Sequence, residues 1–331
     1  MNWNITGHDW ASKLLQQHIS SQQVRHAYLF SGPPGVGRRS LALRFVQALN
    51  CLQPPAPGEP CGECRICKQT ERMQHADLSV VQAEAEGSMI KIDQVRDLQR
   101  LLSLSPFEAR YRVALLLRFH EANDNAQNAL LKTLEEAPSR AILLVTADSP
   151  EALLPTIVSR CEVLRLRPIS VPALTDLLQS RDGVSPQQAQ VLAHVSGGRV
   201  GAALRMQQDP TLYEAHAAWV DEMLDLLYAS RRKRFAYAEQ FKGGGRESLR
   251  QALTVWLSAW RDALQLAAGS QALLINLKQS ESLTRLAGQV GLDQARLMLE
   301  KTAQALEKLD STNVNAQMLA EVLLLDWPLL K

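Results

Sequence analysis

Three groups of residues in the 331-residue sequence have types and spacings that could do chemistry. The first is Cys51, Cys61, Cys64 and Cys67. Four thiolates complete a tetrahedral zinc shell and leave no open position, the pattern of a structural rather than a catalytic site. Pro54, Pro55, Pro57, Gly58 and Pro60 lie between the first two cysteines, so the segment reads as a loop in need of a cross-link. Four buried or redox-active cysteines are the weaker alternative, and a free-standing zinc or thiol enzyme is weaker still. Cys161 stands alone and reads as a small core residue.

The second group is the turn Gly32-Pro33-Pro34-Gly35-Val36-Gly37, followed by Arg38 and Arg39. Glycines let backbone N–H groups wrap a phosphate, and the N-terminus of the following helix favours the anion. The side chains of a working site are missing. Arg38 stands where a lysine would meet the β- and γ-phosphates, and Arg39 stands where a hydroxyl would hold magnesium. Shifting the register to Ser40 adds a residue to the loop. A neighbouring strand, Val113–Leu117, should end in an acid that holds the metal, yet it runs into Arg118-Phe119-His120-Glu121. His120 and Glu121 fit ordinary surface polar residues better than a displaced acid–base pair. Both departures predict a retained fold with hydrolysis lost, while the amides of Gly35–Arg38 leave room for weak anion binding.

The third group is Ser159-Arg160-Cys161. Taken alone, Arg160 reads as an ion-pair partner. Acting on a γ-phosphate would require a neighbouring subunit.

The elements that must position these residues alternate. Apolar runs at His26–Ser31, Val113–Leu117 and Ile142–Thr146 predict buried strands, with weaker ones at Leu78–Gln82 and Val163–Leu166. Helical patterns fall at Arg38–Leu49, Ile92–Leu102 and Ala122–Leu134. Such alternation predicts an α/β domain with a parallel sheet, about as far as residue 167. Beyond Pro168 and Pro172 the pattern is all-α: short helices to about 207, then longer ones from 211 to 331. Leu253, Trp256, Leu257, Trp260 and Leu264 share one helical face and read as core. Gly243-Gly244-Gly245 predicts a loop, and Arg231-Arg232-Lys233-Arg234 predicts a solvated face.

Composition excludes several classes. Lys+Arg 36 against Asp+Glu 34 leaves a formal charge of +2, too balanced for affinity that comes mainly from neutralising a phosphate backbone. Hydrophobic residues make up 46% and aromatics 5%, which favours a helix-rich chain with a modest sheet. There is no signal-peptide pattern near Trp10 and no apolar run long enough to span a bilayer, so the expected location is cytoplasmic.

His26–Gly32, the four-cysteine insertion, Asn128–Glu136 and Leu154–Cys161 together resemble the AAA+ subunits of the bacterial DNA polymerase III clamp loader. Weaker similarity extends through Ser196-Gly197-Gly198 to Trp327-Pro328. The resemblance implies an AAA+ P-loop-type domain over 1–167 with the zinc-binding insertion, a small helical lid over 168–210, and a C-terminal helical collar over 211–331 that joins subunits in a ring. It implies ATP bound by sister subunits, a sliding clamp, primed DNA and no membrane. Arg160 would act in trans on a neighbour's ATP. Gly32, Gly35, Gly37, Arg38 and Arg39 would be a degenerate P-loop, and Thr146 the polar residue that senses phosphate. Gly201 falls where hydrolysing members carry a lid arginine. The expected function is a non-hydrolysing subunit; the alternative is an active ATPase motor of the same assembly.

Overall fold

In a computed structural model, residues 3–84, 88–181 and 183–330 are described. The chain forms two compact units: one reaches Ile169 and includes Arg199–Gly201, and the other comprises Ser170–Gly198 and the chain from Ala202 onward.

The first unit contains α1 (Asp9–Ser20), β1 (Ala27–Ser31), α2 (Arg38–Asn50), α3 (Arg65–Glu71), β2 (Leu78–Val81), α4 (Ile92–Leu102), β3 (Arg112–Leu116), α5 (Asp124–Glu135), β4 (Ala141–Ala147), α6 (Pro155–Val158) and β5 (Glu162–Arg165). The strands form one parallel sheet in the order β2-β3-β4-β1-β5. Side chains alternate across it, as a two-residue period requires. Tyr28, Phe30, Leu115 and Leu144 face the layer of Leu41, Phe45 and Leu49, while Leu29, Ala114 and Leu143 face that of Leu98, Ala126 and Leu130. All residues of β1, β3 and β4 are buried, which explains why all but Ser31, Arg112 and Thr146 are apolar or aromatic. The predicted strands fall within a residue of the observed ones.

The second unit is helical: α7 (Val171–Gln179), α8 (Pro186–Val195), α9 (Val200–Gln208), α10 (Pro210–Tyr228), α11 (Arg231–Ala238), α12 (Arg246–Ala267), α13 (Ser280–Ser311) and α14 (Ala316–Asp326). The first residues of α9 belong to the first unit. Leu253, Trp256 and Trp260 lie in the core, and Trp256 meets Trp327 edge-on with ring centroids 5.0 Å apart. Gly243-Gly244-Gly245 forms the expected turn before α12.

The basic run at 231–234 is not a uniformly solvated face. Ser230 caps α11, and one turn in, Arg234 is buried. Its five N–H donors reach the carbonyls of Leu226, Leu227, Leu324, Trp327 and Pro328 at 2.7–3.1 Å. These carbonyls end α10 and α14 or follow α14, where a helix exposes unpaired acceptors and favours a cation. The neighbouring Arg231, Arg232 and Lys233 are exposed, as expected.

Candidate functional site

The glycine-rich turn leaves β1 at the carboxyl edge of the sheet, where ligands of open parallel sheets bind. Gly32 has φ 150°, and a Cβ there would lie 2.3 Å from the Leu166 carbonyl oxygen. Gly37 caps α2 with φ 114°, in the left-handed region. The turn therefore has the backbone of a phosphate cradle. Its contents differ from those of a working one.

Arg38, the first residue of α2, turns its guanidinium to Asp148, just past β4, with Nη1 2.6 Å from Oδ1. The two side chains are 9% and 31% exposed. His120 Nε2 lies 3.7 Å from the same carboxylate oxygen. The charge that would meet a phosphate is thus neutralised from within. On the other side, buried His8 donates from Nε2 to the Val36 carbonyl at 2.8 Å. A Cβ at Gly201 would lie 2.9 Å from the Gly35 carbonyl oxygen, so α9 begins directly against the turn, and a larger residue would collide with its backbone.

Thr146 pairs with Phe30 across β4 and β1, which places it beside the cradle. Its hydroxyl oxygen accepts the Arg118 N–H at 2.8 Å. Arg118 adopts φ 50° and ψ 48°, turning the chain sharply after β3, and its Nε lies 3.3 Å from Glu121 Oε1. Arg39 and Ser40 are exposed. The structure therefore gathers Gly32, Gly35, Gly37, Arg38 and Thr146 at one edge of the sheet. It adds His8 and Asp148, which sequence reasoning missed.

Arg160 follows α6 and shares no partner with this group. Its Nη2 lies 2.7 Å from Glu135 Oε1 on α5, and its Nη1 donates to the Thr156 carbonyl at 3.0 Å. The side chain is 35% exposed. Cys161 beside it is partly buried, and burial pushes its thiol up to about 12, leaving it protonated and unreactive at neutral pH.

Cys51 ends α2, Cys64 caps α3 and Cys67 lies within α3, while Cys61 comes from the intervening loop. Their four sulfurs lie within 4.8 Å of one another. Tetrahedral coordination with Zn–S bonds of about 2.3 Å requires sulfur separations of about 3.8 Å, and Cys61 and Cys67 are already at 4.0 Å. The group could therefore hold a metal after small adjustments. Burial raises the Cys61 thiol, but the N–H groups of Cys64 and Glu63 outweigh it and bring the thiol down to about 7; burial pushes the Cys67 thiol up. Four thiolates this close need a cation to offset their charge. Trp3 ties the loop to the N-terminal segment by donating to the Gly58 carbonyl at 3.0 Å.

The sheet order, the glycine turn and the helical second unit define an AAA+-like P-loop protein. A family profile for "DNA polymerase III, delta subunit" matches residues 7–170, and one for "DNA polymerase III, delta subunit, C terminal" matches 230–328. DNA polymerase III subunit delta' of Bacillus subtilis is 31% identical over 316 residues, covering 95% of this chain and 94% of its own. The delta' subunit of Pseudomonas aeruginosa is 40% identical over 152 residues, 46% of each chain. Among solved structures, a gamma subunit-related protein of Thermotoga maritima overlaps 95% of this chain and 97% of its own at 18% identity, with a TM-score of 0.46. The chain belongs to the delta' subunit family of the DNA polymerase III clamp loader.

Proposed function

We propose that the chain is a non-hydrolysing clamp-loader subunit that helps load the sliding clamp onto primed DNA and lends Arg160 to the ATP of a neighbouring subunit. The ion pair between Arg38 and Asp148 carries this reading, because it satisfies the cation that stands where a phosphate would be met. Gly32, Gly35, Gly37, Arg38, Arg39 and Thr146 are then the remains of a nucleotide site. An active motor would need Arg38 free and an acid after β3, where Arg118 stands.

Arg160 suits the trans role because it is partly exposed and, among the described residues, donates two hydrogen bonds, leaving three of its five N–H groups for a phosphate. The four cysteines hold zinc, which fastens the 51–67 loop and takes no part in turnover. Other AAA+ subunits pack against the collar. Met318, Val322 and Leu325, exposed on α14 at spacings of four and three residues, supply an apolar face for that contact. The subunit works in the cytoplasm, where the thiols stay reduced. No helix among the described residues is long and apolar enough to cross a membrane.

The test is ATP hydrolysis by the purified chain, alone and assembled with its partner subunits, clamp and primed DNA. The expected result is no turnover alone and Arg160-dependent turnover in the assembly. Robust hydrolysis by the isolated chain that disappears with Arg38→Ala would support the motor reading instead. For the metal, native protein should carry one zinc per chain and Cys64→Ser substantially less; metal-free native protein would refute the assignment.

A further inference from the structure

We propose that Glu135 is a positioning residue for Arg160, holding the guanidinium in its working orientation before a neighbouring subunit arrives. This inference rests on the trans role proposed for Arg160.

Glu135 is the last residue of α5, followed by Glu136. Two carboxylates at a helix C-terminus oppose the macrodipole, which favours cations there. Helix stability alone therefore argues against an acid at 135. The geometry supplies another reason for it. Glu135 Oε1 takes one arm of the guanidinium through Nη2 at 2.7 Å, and the Thr156 carbonyl takes the other through Nη1 at 3.0 Å. The two acceptors come from separate elements, α5 and α6, so together they fix both the position and the plane of the fork.

An arginine left free on the surface would lose its rotamer freedom each time it engaged a phosphate. Anchoring it in advance removes part of that loss. The anchor is also weak enough to yield: Glu135 is 52% exposed and Arg160 35%, and exposed pairs of this kind contribute little to stability. Glu135 therefore orients Arg160 without competing strongly with the higher charge of a nucleotide phosphate. Its effect belongs to the chemical step, because a finger stabilises charge that develops during transfer rather than the bound ground state.

The experiment measures the Arg160-dependent turnover of the assembled clamp loader, defined as wild type minus Arg160→Ala, for Glu135→Ala and Glu135→Gln. Glu135→Ala should lower this component about three- to fivefold, through kcat with KM for ATP unchanged. Glu135→Gln keeps an acceptor oxygen and should recover part of the loss. In an Arg160→Ala background neither change should have a further effect. The thermal transition of the isolated chain should stay within about 1 °C of wild type, since only an exposed pair is lost. Turnover unchanged or raised by Glu135→Ala, or lowered equally in the Arg160→Ala background, overturns the positioning role while leaving the trans role standing. If Arg160→Ala itself leaves turnover unchanged, both fall.

Discussion

Arg38 and Arg160 each meet one carboxylate of their own chain, and they meet it in opposite settings. Arg38 is packed at the base of the glycine turn, and its partner Asp148 comes from the strand edge that would face a nucleotide. Arg160 lies at the surface between two helices, with donors to spare. A cation neutralised inside its own cradle has little left to offer a phosphate; one anchored at the surface with donors left over can serve a ligand bound elsewhere. Within one unit the P-loop keeps its backbone and loses its electrostatics, while the Arg160 corner has charge available and no cradle of its own.

Arg160→Ala should have the largest effect. On the trans role proposed for it, the neighbouring ATP site should lose about 10³-fold or more in rate, and the assembly at least that site's share of turnover, with assembly itself intact. A loss equally large on removing a second-unit cation would blur the contrast. Arg234→Met is the control: it takes the guanidinium from the carbonyls of Leu324, Trp327 and Pro328 and leaves those of Leu226 and Leu227 only their backbone donors, Ala229 and Leu330, and should destabilise the second unit by about 3 kcal/mol, seen in denaturant unfolding. Arg38→Ala breaks a half-buried pair. Discounted for the solvent that reaches Asp148, its cost is about 1–2 kcal/mol, with assembled turnover unchanged at temperatures where the variant is folded. Arg39→Ala, on an exposed residue, should change stability by less than about 0.5 kcal/mol.

Much of the first unit is legible in the sequence, because strands buried on both faces must be apolar throughout. Val113–Leu117 and Ile142–Thr146 therefore stand out at once, and the glycine turn locates the end of β1. Three helices, α1, α3 and α6, escape this reading. In α1 the buried residues are few, Ala11, Ser12 and Leu15, while α3, capped by Cys64, spans only seven residues and α6 four, too few to establish a period. The partners of the arginines are harder still to read. Arg38 and Asp148 lie 110 positions apart, and no local pattern links them. Arg234 looks like its neighbours in a basic run, and only the convergence of two chain segments around it, 226–227 and 324–328, reveals a buried cation. The sulfur cluster is the opposite case: its spacing is local and its ligand chemistry narrow, so sequence alone suffices to draw the four cysteines together.

The most direct test of the account compares ATP turnover by clamp-loader assemblies that carry Arg38→Ala or Arg160→Ala in this subunit, each measured with clamp and primed DNA against wild type. The account predicts wild-type turnover with Arg38→Ala and a loss of at least one site's share with Arg160→Ala. Loss with Arg38→Ala and none with Arg160→Ala would mean that the chain's own cradle does the hydrolysis and that Arg160 is an ordinary surface ion pair.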